Sequence, residues 1–270
     1  MRRMAWFGAL AALAILGTGC RQLQSRDQLN KGVQAFKNAQ YPEAVENFKR
    51  AVELDPGFAT ARLYLATAYM QQYIPGADSP ENKQMAEQAH AQFQKVLDQD
   101  PKNTNAIASI AYLYLNEKKW DEAQQWYEKL ISVQPDNKDA YYSIGFIAWS
   151  KWYPDYGKAR VDMGMKPEEP GPLKDKKVKA ELKAKYWPVI QGGLQALDKA
   201  LQIDPNNTDA MAYENLLHRE SADLMDSKEE YDKEIATANN WFDKAVATKK
   251  AQTEKKQNAT GGGIVADTPK

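Results

Sequence analysis

The 270-residue chain carries 36 basic and 36 acidic side chains, two histidines and one cysteine. That balance offers no basic field for a nucleic-acid backbone, and one thiol has no internal partner for a disulfide. Two histidines far apart in sequence also fall short of the three or four ligands a zinc site uses.

The chain opens with Arg2 and Arg3, followed by the uncharged run MAWFGALAALAIL, Met4 to Leu16, 13 residues long. A spanning helix needs about 20 apolar residues. A basic start, a short apolar core and the small residues Gly17, Thr18 and Gly19 predict a secretory signal peptide over 1–19. The stretch ending at Cys20 resembles the lipobox of bacterial lipoproteins. That resemblance implies a diacylglycerol on the Cys20 sulfur, a mature N-terminus at Cys20 and a linker over 20–24. Acyl chains anchor a protein because each buried CH₂ contributes about 0.8 kcal/mol. Gly17 departs from the pattern, since leucine is usual three residues before the cysteine and Leu16 lies one place early. The alternative is a plain signal peptide cleaved near Gly19. Arg21 follows Cys20 where an aspartate would imply retention at the inner membrane, so the resemblance implies the outer membrane and a periplasm-facing protein.

A repeat fills the middle of the chain. The segments YPEAVENFKRAVELDP (41–56), AEQAHAQFQKVLDQDP (86–101), WDEAQQWYEKLISVQP (120–135) and IQGGLQALDKALQIDP (190–205) align in four columns. A small residue (Ala44, Ala89, Ala123, Gly193) is followed four later by a large one (Phe48, Phe93, Tyr127, Leu197). Three further stand Ala51, Val96, Leu130 and Ala200, and five beyond those Pro56, Pro101, Pro135 and Pro205. Spacing of four then three marks one face of a helix, and proline, with no N–H, marks its end. Between the prolines lies a second helical pattern, clearest at Ile107, Ile110, Ala111 and Tyr114. Asn103, Asn137 and Asn207 each stand two residues after a proline, placed to cap the next helix. The prolines are 45, 34 and 70 residues apart, and 34 is the tetratricopeptide length.

On these columns the chain resembles the tetratricopeptide repeat family over roughly residues 25–248. The resemblance implies an all-α fold, an α-α superhelical solenoid of about five helix pairs with one large insertion. A single pair cannot bury its apolar face, so neighbours must stack. The fifth pair is degenerate: Ala238, Phe242 and Ala245 fit, but no proline closes it. Long spacings predict insertions, the largest near 151–187, with an extra helix over 173–187 whose lysines (Lys174, Lys176, Lys177, Lys179, Lys183, Lys185) form either a solvated face or an anion-binding patch. Residues 249–270 are polar and Gly-containing and read as a disordered tail.

In this family certain first-helix positions line the inner surface. Carried over, they are Leu29, Val33 and Phe36, then Leu63, Thr67 and Met70, then Ala108, Tyr112 and Leu115, then Tyr142, Phe146 and Trp149. The lysine and asparagine that clamp a peptide carboxylate in some members are absent from these positions. The set implies an apolar or aromatic groove for a protein or peptide partner. Seven aromatics crowd Tyr141 to Tyr156, which reads either as a binding hot spot or as internal packing. The rival reading is a periplasmic glycan or small-molecule binding protein, with Tyr142, Trp149 and Trp152 stacking on sugar rings. No catalytic motif, cofactor motif or metal-ligand spacing emerges, so the chain does not read as an enzyme. An enzyme would require His90 or His218 in a cleft with a perturbed pKa.

Overall fold

The structure, a computed structural model, describes residues 4–166 and 169–261, with side chains described from residue 19 to 258. Ten α-helices and no strand occur among the described residues, packed in successive pairs. The all-α class read from the repeats is what forms. Two compact units divide the chain, residues 1–133 and 134–270.

The first unit holds α1 (Met4–Lys37), α2 (Tyr41–Leu54), α3 (Ala59–Gln72), α4 (Pro80–Gln99), α5 (Thr104–Asn116) and α6 (Trp120–Val133). The recurring columns are its core: Ala44, Phe48, Ala51, Ala89, Phe93, Val96, Ala123, Tyr127 and Leu130 are all buried. Small residues on the opposing helix let the large ones in. A Cβ at Gly32 would fall on the Phe48 ring, and the Ser25 hydroxyl donates to the Ala51 carbonyl at 2.8 Å. Asn103 caps α5 as its position predicts, accepting from the Ala106 N–H at 3.1 Å. The insertion before α4 is a short loop fixed by one side chain. Asn82 accepts from the Ile74 N–H and donates to the Ile74 and Ala77 carbonyls. The helix α1 runs unbroken from Met4 through Cys20, which is exposed. Among the described residues no helix is long and apolar enough to cross a membrane.

The second unit holds α7 (Lys138–Asp162), α8 (Lys176–Ile203), α9 (Thr208–Ser221), a 3-10 turn (Ala222–Leu224) and α10 (Lys228–Gly261). Asn137 and Asn207 cap α7 and α9. The helices α7 and α8 meet through small residues. A Cβ at Gly145 would strike Leu197, and one at Gly193 would strike Ala148.

The insertion takes a different form from the separate helix expected over 173–187. Most of it lengthens α7 and α8, which run through Pro154 and Pro188. An interior proline costs a helix about 3 kcal/mol. Burial on both sides of each proline offsets that: Trp152, Tyr156 and Ala159 on α7 share one apolar cluster with Leu182, Tyr186 and Ile190 on α8. The connecting loop is tied inward. Arg160 donates to the Lys166 and Glu169 carbonyls and pairs with Asp223, while the Leu173 N–H donates to the Asp223 carbonyl. Four of the six lysines meet carboxylates: Lys174 with Glu169, Lys179 and Lys183 with Asp226, and Lys185 with Asp155.

At the C-terminal end, Ala238 is buried but Phe242 is 55% exposed. The repeat column is therefore only half used in α10, which is the last described helix. Residues 249–261, expected as tail, continue α10 as helix, and 262–270 lie outside the described residues.

The close approach at Gly145 predicts opposite outcomes for two glycines of α7. Alanine favours a helix interior by about 1 kcal/mol over glycine, whereas overpacking costs about 1–3 kcal/mol. Gly157 has nothing within 4 Å of its Cβ position, so Gly157→Ala raises the Tm. Gly145→Ala lowers it, and adding Leu197→Ala makes the combined loss smaller than the sum of the two single losses. Thermal unfolding by circular dichroism reads all three.

Candidate functional site

In the first unit, the positions named by the repeat pattern fall on the first helix of each pair, α1, α3 and α5, and neighbouring first helices adjoin. Leu29, Val33, Phe36, Leu63, Met70 and Leu115 are half-buried, and Tyr112 is 52% exposed. None is sealed in the core. Two contacts tie this surface down. Phe36 lies edge-on to Tyr41 at 5.3 Å, and Tyr64 stacks on Phe48 at 5.4 Å. His90 Nε2 lies 3.0 Å from Glu117 and its ring 4.2 Å from that of Tyr114. Burial opposes ionisation of Glu117, yet the contacts with His90 and Lys119 hold its carboxyl below the usual range.

In the second unit, Tyr142, Phe146 and Trp149 follow one another along α7 at intervals of four and three, and all are half-buried. Tyr213 from α9 meets all three edge-on, at 5.8, 5.4 and 5.6 Å. Trp149 also stacks on the exposed Tyr153 at 4.7 Å. Burial, then Tyr213 and Asp209, push the Tyr142 hydroxyl up to about 12. The aromatic run thus divides by helix face. Tyr142, Phe146, Trp149 and Tyr153 keep accessible surface, while Trp152 and Tyr156 are internal. Trp152 is 0% exposed, which removes it from any sugar-stacking set, because α7 turns it into the core between Tyr156 and Tyr186.

Behind this face lies a buried polar network. Glu220 on α9 accepts from the indole N–H of Trp149 at 3.1 Å and from that of Trp152 at 3.0 Å, one on each carboxylate oxygen. Burial pushes its carboxyl up to about 7, the two indoles draw it down and Asp223 adds to the rise. Asp223 accepts from Arg160 and from the Tyr156 hydroxyl. Its carboxyl is also raised, because burial outweighs the guanidinium. A second cluster joins α9 to α10: His218 Nδ1 lies 2.6 Å from Glu234 and Nε2 3.4 Å from Glu214. Burial alone would strip the proton from His218, but the bonds to Glu214 and Glu234 outweigh it and raise the pKa to about 9. At neutral pH His218 is therefore a held imidazolium with no lone pair free to accept a proton.

Four of the residues that build this site, Arg160, Tyr213, Glu220 and Asp223, were not singled out by the repeat pattern. Glu214 shows the available signal: it falls in the buried stripe Ala210, Glu214, Leu217, Ser221, spaced by four, three and four.

The His218 shift carries a pH dependence of known sign. A pKa raised from 6.5 to about 9 on folding stabilises the native state fully below pH 6.5, and that stability is lost as pH rises through 9. Urea unfolding followed by tryptophan fluorescence is expected to give on the order of 2 kcal/mol less stability at pH 9.5 than at pH 6. His218→Gln is expected to flatten that slope.

Comparison with known proteins places these observations. The pattern described as tetratricopeptide repeat matches residues 83–144, and one described as TPR repeat matches residues 34–72. The human protein O-mannosyl-transferase TMTC3 is 24% identical over 187 residues, 67% of this chain and 19% of that protein. The rat mitochondrial import receptor subunit TOM70 is 27% identical over 116 residues, 43% of this chain and 18% of that protein. The chain thus spans less than a fifth of the length of these curated relatives. Among solved structures, MamA from Desulfovibrio magneticus RS-1 superposes with a TM-score of 0.55 at 16% identity, covering 85% of this chain and 97% of that one. YrrB, described as a TPR protein with an unusual peptide-binding site, does so with a TM-score of 0.50 at 14% identity, covering 83% and 90%. Buried small-and-large columns, asparagine caps and helix pairs agree with both pattern matches, which show tetratricopeptide repeats at residues 34–72 and 83–144 of this chain.

Proposed function

We propose that the chain is an exported, lipid-anchored scaffold of the cell envelope that holds a protein or peptide partner on the first-helix faces of its repeats. The observation that carries the reading is an asymmetry of burial. Second-helix column residues of the first four pairs are sealed, whereas the apolar residues at the first-helix positions keep accessible surface. Within each unit, apolar and aromatic side chains left half-open suit an apolar peptide, since burying them is worth about 25 cal/mol per Å². The import receptor TOM70 and the peptide-binding YrrB supply analogy for a protein or peptide ligand. With no lysine–asparagine clamp at the carried-over positions, the partner is held by its side chains rather than its terminal carboxylate. His218, held between two carboxylates, is not placed as a base.

Export and anchoring rest on the sequence: a basic start, a short apolar run and an exposed Cys20 at its end. In this reading Cys20 carries the lipid, and the outer membrane, facing the periplasm, is the location.

Two measurements test the proposal. Panning random peptides against the purified protein is expected to enrich apolar and aromatic sequences. Trp149→Ala should weaken their binding at least tenfold, as for a hot-spot tryptophan, and amidating the peptide C-terminus should change nothing. Enrichment of acidic C-termini, or indifference to Trp149→Ala, defeats the groove reading. Mass analysis of the mature N-terminus from envelope fractions is expected to show acylated Cys20; an unmodified thiol there ends the anchoring proposal.

A further inference from the structure

Trp149 belongs to two structures at once. Its ring is part of the accessible aromatic face, against Tyr153 and Tyr213. Its indole N–H is spent on Glu220, which is buried with only 7% exposure. The same carboxylate holds Trp152, so both of its oxygens are committed as acceptors. We infer that Glu220 is a proton-operated latch on the aromatic face: when it takes up a proton, Trp149 is released while Trp152 stays held.

The argument is one of donors and acceptors. An ionised carboxylate only accepts, and it satisfies two indole N–H groups without conflict. On protonation one oxygen becomes an O–H donor. That oxygen keeps a lone pair, but as a neutral hydroxyl it accepts far more weakly than a carboxylate oxygen, so one of the two indole bonds weakens and is the one free to open. Trp152 is sealed between Tyr156, stacked at 4.7 Å, and Tyr186, edge-on at 5.6 Å, and an orphaned N–H there would cost about 1–3 kcal/mol. Trp149 is half-buried, so its N–H finds water when it turns outward. The bond to Trp149 is therefore the one that opens.

The surroundings set where this happens. From α7 the charged and titratable groups facing Glu220 are Tyr156 and Arg160. From the 3-10 turn it is Asp223, which engages Arg160 and the Tyr156 hydroxyl. The helix α8 brings Tyr186, bonded to Asp155, against Trp152. On α10, Glu234 engages His218 and the Tyr231 hydroxyl accepts from the Gly171 N–H. The one guanidinium in the network is drawn to Asp223, and Glu220 has indoles for partners instead of a cation. Burial without a counter-ion raises a carboxyl, and here it raises it to about 7, so the latch works across the neutral range.

The latch regulates the site named under Proposed function, yet it is testable in the free protein. The chain has seven tryptophans, so 5-fluorotryptophan-labelled protein is observed by fluorine NMR from pH 5.5 to 8.5, with Trp149→Phe and Trp152→Phe assigning the two resonances. The Trp149 resonance is expected to move with a midpoint near 7, with the Trp152 resonance shifting less. Glu220→Gln, which keeps one acceptor and adds a donor, is expected to fix Trp149 at its low-pH position at every pH. A Trp149 resonance that does not titrate overturns the latch, as does a titration that persists in Glu220→Gln, and so does a larger shift at Trp152 than at Trp149. Should Glu220→Gln fail to fold by circular dichroism, the wild-type titration alone still tests the latch through the first and third outcomes. Peptide binding measured at one fixed pH tests the docking reading separately, so either can fail without the other.

Discussion

The closeness of helices within a pair is the constraint on which the rest depends. At Gly32 and at Gly145 the partner's large side chain occupies the space a Cβ would need. Such contacts bring two backbones near enough for Phe48 and Leu197 to be fully enclosed. They also fix the rotation of each first helix. Once the small residue faces its partner, the positions three before and four after it come to the flank of the helix beside the seam, where they stay half-open. The half-open stripe of Leu63 and Met70, or of Tyr142, Phe146 and Trp149, follows from that rotation. The surface offered to a partner is therefore set by the packing of the core.

The second unit adds a costlier device. Arg160, Asp223, Glu214 and Glu220 are all buried, and removing charges from water is expensive unless geometry repays it. The repayment here is positional. Arg160 joins the end of α7, the loop at Lys166 and Glu169, and the 3-10 turn through Asp223. A long insertion that could have wandered is held by one guanidinium, whose five N–H donors sit in a rigid fork. Breaking one partner of such a pair leaves a buried charge alone, which makes the tie hard to lose gradually.

Much of the fold was legible because it rests on spacing. The Ala44–Phe48–Ala51 columns, the prolines that end helices and the asparagines that cap them are local signals with local causes. The insertion was less legible because its outcome is decided by tertiary contact. Pro154 and Pro188 would break an isolated helix, yet the apolar cluster around Trp152 and Leu182 lies on both sides of them and keeps the helices whole. The polar network was hidden for another reason. Glutamates and arginines on amphipathic helices are mostly solvated, so Arg160, Glu220 and Asp223 looked like any other charge. Periodicity held a trace of them: Trp152, Tyr156 and Arg160 recur every fourth residue, placing a guanidinium in an aromatic stripe. The first-helix residues were found by family resemblance, not by chemistry, and Tyr213, which binds three of them together, carries no signal of its own in the sequence.

The two halves of that description meet at Trp149. A binding hot spot works best when its aromatic anchor is already fixed, because ordering a side chain on association costs about 0.5–1.5 kcal/mol. Stacking on Tyr153 restrains the ring from one side and Tyr213 from another, but neither contact sets the direction of the indole N–H. Glu220 does. Because Trp149 and Trp152 are three residues apart on α7, one carboxylate on α9 reaches both, and the half-buried ring inherits the rigidity of the sealed one. That economy has a consequence: whatever alters the hydrogen-bonding capacity of Glu220 alters the face and the core together, and only the face has room to respond.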